Sequence, residues 1–435
     1  MKNKLYLACA LLALSAIYLL QLVSPLRLTT DANSFLTLAT SFLDGQGFVI
    51  DGRRTHFPVG YPLILVALAR TGLACSASII GINLIMLASG CAGAAYLLRR
   101  SFGFDTALVG LLCAMTLLSW VFVKHTTLPL SDVPYFGLSM VCLATLRWSI
   151  DQSLPRRLIG LAVGMTLVIA AVAVRTAGIA LIPAFVVSCL PADGWAKLPR
   201  WFKHYPRRSA FVLATLLLAT AAGCMTITQS RYFSEMVAEW RGWTELSRIR
   251  LEDWGELVTN TSMAKLPRSL QMVVPVAGAI GAFFVCFGAV RRARLGIVDA
   301  YAVCYSGILL VWPYRDCRFW LPVFPILAAY SWLALDEVAS SLWVRRVRLA
   351  YIAGYSLMGC AGLYYSSHIS LSGERFPDLY GGGIYRDSYR ALASKRSGGN
   401  DATNRGDLQL IRLIERYGSG VRLARQPHAN SSAVE

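Results

Sequence analysis

The stretch that decides the reading of this chain is residues 31–62, DANSFLTLATSFLDGQGFVIDGRRTHFPVGYP, which follows one apolar segment and precedes a long series of others. It gathers acids, a histidine, paired arginines and turn residues where a simple connector between apolar segments needs few polar groups. Phe35, Leu38, Ala39, Phe42 and Leu43 recur at helical spacing, which predicts an amphipathic helix lying on a membrane, with Asp31 at its N-cap. Asp44-Gly45-Gln46-Gly47 predicts a turn. His56-Phe57-Pro58-Val59-Gly60-Tyr61-Pro62 then brings a stiff, aromatic segment back to the bilayer surface.

The rest of the chain says which surface. Of 435 residues, 56% are hydrophobic and 15% charged, with mean hydropathy +0.52, outside the range of soluble domains. The apolar residues fall in blocks of roughly 17 to 22, the length a helix needs to cross a hydrocarbon core, and lipid leaves such blocks no choice but helix. The fold class is therefore an all-α polytopic membrane protein of about eleven transmembrane helices. The segments are 5–23, 77–98, 106–123, 133–150, 158–174, 177–190, 211–228, 270–290, 298–313, 319–335 and 349–365, with 61–69 too short to cross. The first could pass for a signal peptide, but its length, the lack of a small-x-small cleavage site and the spans that follow favour a retained anchor. The 11 cysteines sit mostly in apolar blocks and form no CxxC pair, so they read as small core residues.

The net charge of +18 does not point to nucleic acid, because its basic residues are clustered between apolar blocks. One alternating set of loops holds Lys2/Lys4, Arg99/Arg100, Arg147/Arg156/Arg157, Lys197 to Arg208, Arg291/Arg292/Arg294 and Arg345/Arg346/Arg348. That set is cytoplasmic by the positive-inside rule. The opposite set, with the 31–62 loop, Arg175, the loop 230–269 and residues 314–318, then faces the periplasm of a bacterial inner membrane, and the N-terminus is cytoplasmic. Residues 1–366 form the membrane domain, with the working loop at 26–62, and 367–435 a small or partly disordered periplasmic tail holding one short helix at 407–417. In 230–269, Phe233, Met236, Val237 and Trp240 at helical spacing predict either a tryptophan-anchored interfacial helix or a lid.

Four places together resemble the integral-membrane GT-C glycosyltransferases, in particular bacterial members of the protein-mannosyltransferase and aminoarabinose-transferase type. They are the first periplasmic loop with its Asp, G-x-G-[FY] turn and Gly-Tyr-Pro segment; Leu130-Ser131-Asp132; Arg175-Thr176-Ala177-Gly178; and Arg318-Phe319-Trp320-Leu321-Pro322-Val323-Phe324-Pro325. The resemblance implies a sugar moved from a polyprenyl-phosphate carrier to a hydroxyl of a lipid, glycan or protein at the periplasmic face. Relatives often carry an Asp-Glu pair where this chain has Asp31-Ala32, so the second acid falls to Asp44, Asp51 or Asp132, with Asp132 and Asp44 the candidate metal ligands, and a divalent cation (Mg or Mn) is the one cofactor left open.

Transfer to a hydroxyl needs a base, for which Asp31 is the candidate, and a departing lipid phosphate needs cations, for which Arg175, Arg315 and Arg318 are candidates. His56 and Tyr61 could touch sugar or phosphate, while His125 has a weaker claim. Each has a plainer alternative: Asp31 and Asp132 as helix caps, the arginines as interfacial anchors, the loop histidines as solvated groups. The rival class is a transporter or lipid flippase, which would place ionisable residues at mid-membrane and show symmetry between halves; the charges here gather at one face. An O-acyltransferase would place a His within the membrane, whereas all five here are expected in loops or the tail. An O-antigen ligase would carry its large loop late in the chain.

Overall fold

The computed structural model describes residues 2–50, 52–54, 57–190, 237–240, 242–292, 296–338 and 341–380. Asp51, His56, the expected span at 211–228 and the tail helix at 407–417 lie outside them. Every other apolar segment of the expected set is helical. The elements that matter below are α1 (Lys2–Leu19), α2 (Thr30–Leu43), α3 (Gly60–Arg70), α4 (Ser76–Arg100), α5 (Thr106–Leu118), α6 (Trp120–His125), α7 (Asp132–Ile150), α8 (Leu154–Val174), α9 (Leu181–Cys189), α10 (Trp243–Thr259), α11 (Val273–Arg292), α12 (Ile297–Leu310), α13 (Phe324–Val338) and α14 (Leu342–Ser370). Among the described residues five helices are long and apolar enough to cross a membrane: Ser76–Arg100, Asp132–Ile150, Leu154–Val174, Arg268–Arg292 and Cys317–Val338. Shorter apolar helices stand between them.

Lipid gives little hydrophobic drive for one apolar helix to meet another, so close packing must come from small residues that let backbones approach. The parallel pair α4 and α7 works this way. A side chain on Gly93 would stand 2.7 Å from the Met140 carbonyl oxygen, and one on Gly137 2.6 Å from that of Met86. Helix α8 returns antiparallel, with Gly160 against Ser149 and Gly164 against Leu146. Because α4, α7 and α11 end in Arg99/Arg100, Arg147 and Arg291/Arg292, the start of α7 stands at the end of the bundle opposite these basic clusters.

The amphipathic α2 buries Ala32, Phe35, Leu36, Leu38 and Ala39, and Phe35 meets both Phe57 and Tyr61 edge to face with ring centroids 5.2 Å apart. Gly45 and Gly47 take φ of 78° and 81° in the turn that follows, and Val49–Ile50 pairs with Arg53–Arg54 in a two-stranded hairpin. The N-cap of α2 is Thr29 rather than Asp31: Thr29 has the extended backbone of a cap (φ −131°, ψ 172°), and its side chain accepts the Ala32 N–H. Asp31 therefore lies in the first helical turn with its carboxylate free for other work.

The interfacial helix or lid expected at the start of the loop 230–269 falls only in part on the described residues. Phe233 and Met236 lie outside the described residues, while Val237 and Trp240 are exposed. Beyond them α10 is a packed helix that buries Arg250, Glu252, Asp253 and Glu256. It presses on α11 through Gly255 and Gly278, where a Cβ would meet the Val274 and Leu251 carbonyl oxygens at 1.9 Å. The segment expected as one span at 106–123 is broken at Ser119, and Asn260, just past the end of α10, holds the break. Its side-chain N–H groups reach the carbonyls of Leu118 and Tyr355 at 3.0 Å each, and its oxygen accepts Trp120 N–H at 2.7 Å. Asn260 is the only described non-glycine residue with positive φ, 52°, a conformation Asn tolerates. Asn260→Ala should destabilise the protein by at least ~2 kcal/mol, since three buried backbone groups lose their partner; a thermal midpoint in detergent equal to wild type would contradict this.

Candidate active site

Arg175 ends α8 in an extended conformation (φ −152°, ψ 128°). The next segment, Thr176–Ala180, folds back so closely that a Cβ on Gly178 would lie 2.6 Å from the Val172 nitrogen. This turn aims Arg175 at the start of α7, where it forms a hydrogen-bonded ion pair with Asp132. Asp132 is thus held as an ion-pair partner; Ser131 is the cap residue and makes no side-chain capping bond.

Arg318 comes from the Cys317–Val323 segment that leads into α13. Asp316 caps that segment by accepting Arg318 N–H at 3.0 Å. The Arg318 guanidinium then stands among three carboxylates. Its Nη2 donates to Asp31, its Nη1 lies 3.9 Å from Asp132 and its Nε 2.9 Å from Asp316. Phe319 lies between the cations, with both guanidinium carbons 5.2 Å from its ring centre, a favourable place for a cation. Tyr305 donates to the Phe319 carbonyl at 2.8 Å and fixes the segment. The acids differ in access: the Asp31 and Asp316 side chains are 36% and 34% exposed, that of Asp132 3%.

Tyr61 is buried beside this cluster. Its hydroxyl has no hydrogen-bond partner among the described residues, and burial together with the charge of Asp132 raises its pKa above the usual tyrosine range. His125, expected in a loop, is buried at the end of α6 with Nδ1 2.6 Å from the Val121 carbonyl oxygen. A carbonyl only accepts, so Nδ1 carries the proton and Nε2 the lone pair. Burial, then Lys124 and Arg318, push its pKa down to about 4 against the opposing pull of Asp316 and Asp132.

The structure brings together Asp31, Asp132, Arg175, Arg318 and Tyr61 of the residues singled out in the sequence, places His125, the weaker candidate, near them, and adds Asp316 and Phe319. Asp44 does not join them. It is exposed at the far end of α2, about 20 Å along the axis from Asp31 at 1.5 Å per residue. Arg315 also turns away, pairing with Glu252 at 3.0 Å and Glu256 at 3.5 Å on α10. Glu256 further accepts Met263 N–H at 2.9 Å and the Cys317 thiol at 3.3 Å, and Arg250 reaches the Trp312 and Tyr314 carbonyls at 3.0 and 2.6 Å. Helix α10 thus grips the segment that delivers Arg318.

The cluster as it stands does not fit a divalent cation. Such an ion needs several oxygens converging on one point at about 2.0–2.6 Å, whereas Asp31, Asp132 and Asp316 each face a different nitrogen of Arg318. No group of three or more His, Cys, Asp or Glu side chains suited to a metal occurs among the described residues.

No protein-family model and no curated protein matches the sequence. Among solved structures the chain is similar to ArnT from Cupriavidus metallidurans bound to undecaprenyl phosphate, with TM-score 0.47 and 15% identity over 96% of this chain and 72% of that one. It is also similar to the archaeal oligosaccharyltransferase AglB from Archaeoglobus fulgidus, in complex with an inhibitory peptide and a dolichol-phosphate. That match has TM-score 0.49 and 14% identity over 95% of this chain and 60% of that one, so the chain spans less than two thirds of AglB. At these scores what this chain does must follow from its own residues.

The His125 pKa is lower in the fold than its ordinary 6.5, so the unfolded chain binds more protons between pH about 6.5 and 4 and stability falls as pH drops through that window. His125→Gln should flatten that part of the melting-temperature profile; an unchanged profile would contradict a buried neutral imidazole. Titration with Mn2+, followed by the EPR signal of the free ion, should show no binding that Asp31→Asn or Asp132→Asn abolishes, and such binding would contradict a cluster in which each acid faces the arginine.

Proposed function

We propose that the chain is a membrane glycosyltransferase that moves a sugar from a polyprenyl-phosphate donor to an acceptor hydroxyl, at the membrane face where α2, α7 and α13 begin. The observation that carries the reading is an accessible carboxylate, Asp31, bonded to Arg318 beside a second guanidinium, that of Arg175, which a separate element fixes through its pair with Asp132. In the reaction the acceptor oxygen bonds to the anomeric carbon as the bond from that carbon to the phosphate oxygen breaks. The acceptor proton passes to Asp31, and the electron pair leaves with the phosphate. Asp31 suits the role of base because a substrate can reach it and it caps nothing, whereas Asp316, similarly exposed, caps the segment that carries Arg318, and Asp132 is shut in by Arg175 and serves to orient the arginines. The guanidinium groups meet the charge that grows on the leaving phosphate, in a setting drier than water.

The buried Tyr61 hydroxyl gives the site one further donor for sugar or phosphate. The clustering of charge at one end of the bundle favours chemistry at a face over transport, for which ionisable groups would stand along the path. No metal takes part in this scheme. The active face is the periplasmic one by the alternation of Lys and Arg between loops, and the cell envelope supplies donor and acceptor.

Purified protein, offered a panel of synthetic polyprenyl-phosphate sugars with the label in the sugar, should transfer label from at least one. Asp31→Asn should lower the rate by about 10²-fold or more, the scale of a lost general base. Full activity in that variant would remove the base assignment. Movement of carriers across liposomes without transfer from any donor would favour a flippase instead.

A further inference from the structure

Resting on that reading, we infer that Asp31 and the donor phosphate compete for Arg318, so that arrival of the donor releases Asp31 to act as base, and donor binds before acceptor. As the site stands, the base is occupied. Asp31 accepts a hydrogen bond from Arg318 Nη2, so the carboxylate oxygen that would receive the acceptor's proton already faces a donor. The site also holds three carboxylates (Asp31, Asp132, Asp316) against two guanidinium groups (Arg175, Arg318), so an anion enters favourably only where a carboxylate gives way.

The geometry names the one that gives way. Asp132 is shut in and already bonded by Arg175, and Asp316 caps the segment that carries Arg318 through its backbone N–H. Asp31 has neither duty, since Thr29 caps α2, and at 36% side-chain exposure water can rehydrate it when it lets go. Its contact is also, among the described residues, the one hydrogen bond from the Arg318 side chain to a carboxylate: Nη1 stands 3.9 Å from Asp132, and Nε lies near Asp316 without a bonded geometry. A phosphate oxygen at the position of the Asp31 oxygen takes over Nη2, the guanidinium keeps Asp132 and Asp316 as neighbours, and Asp31 turns to the acceptor. Without donor, the acceptor meets a paired carboxylate and no proton leaves it.

The test is a double-mutant cycle on lipid-phosphate affinity, measured with a sugar-free polyprenyl phosphate in detergent by thermophoresis or calorimetry for wild type, Asp31→Asn, Arg318→Gln and the double variant. Asp31→Asn should bind the lipid phosphate more tightly, by about tenfold for the loss of a charge-assisted competitor, while transfer activity falls. In the Arg318→Gln background the same change should have no effect. An equal gain in both backgrounds would show simple charge repulsion, and a loss of affinity in Asp31→Asn would show that Asp31 helps bind the donor; either result overturns the proposal while leaving the glycosyltransferase reading intact. Wild-type protein that binds no polyprenyl phosphate overturns both. Monodisperse elution and a thermal midpoint near that of wild type qualify each variant for the comparison.

Discussion

The interaction on which the rest depends is the Arg318 guanidinium among Asp31, Asp132 and Asp316. These groups come from the start of α2, the start of α7 and the segment entering α13, and Arg175 joins from the end of α8. A charge so little exposed is tolerated only with partners, so the contact fixes how these elements meet at one face. The supports behind it follow the same logic. Helix α10, rich in acid and arginine, would be an odd segment to bury for stability alone, yet its carboxylates bind Arg315 and the Cys317 thiol. Removing those contacts would loosen the short segment on which Arg318 rides.

Much of this is legible in the sequence because a bilayer narrows the choices. Apolar blocks of spanning length must be helices, so their positions can be read from composition, and the alternation of basic loops puts Asp31, Asp132, Arg175 and Arg318 on one side without knowledge of any contact. The glycine spacing in the 31–62 loop likewise announces its turns. The break at Ser119 is hidden, because the chain 106–123 is apolar throughout and the residue that stabilises the break, Asn260, lies 140 positions from Trp120.

Direction is harder to read than sidedness. Arg315 and Arg318 are three residues apart, but the first precedes the turn capped by Asp316 and the second lies inside it, so they point to different partners. Thr29, Thr30 and Asp31 all have cap-forming side chains, and only the extended backbone at Thr29 decides which one caps. His125 reads as a loop residue because Lys124, Thr126, Thr127 and Ser131 surround it in sequence; the structure buries it because Asn83 takes the carbonyls of Thr126 and Leu128 and folds that loop inward. The acids of α10 are concealed in sequence because the basic residues beside them balance their charge.

In the proposed cycle Arg318 serves an acid at rest and a phosphate at work. The sharpest check is an experimental structure with a polyprenyl phosphate bound. A phosphate oxygen should then lie within hydrogen-bonding distance of Arg318, with Asp31 detached and turned toward open space. A bound phosphate elsewhere, with the Asp31–Arg318 pair unbroken, would contradict the exchange.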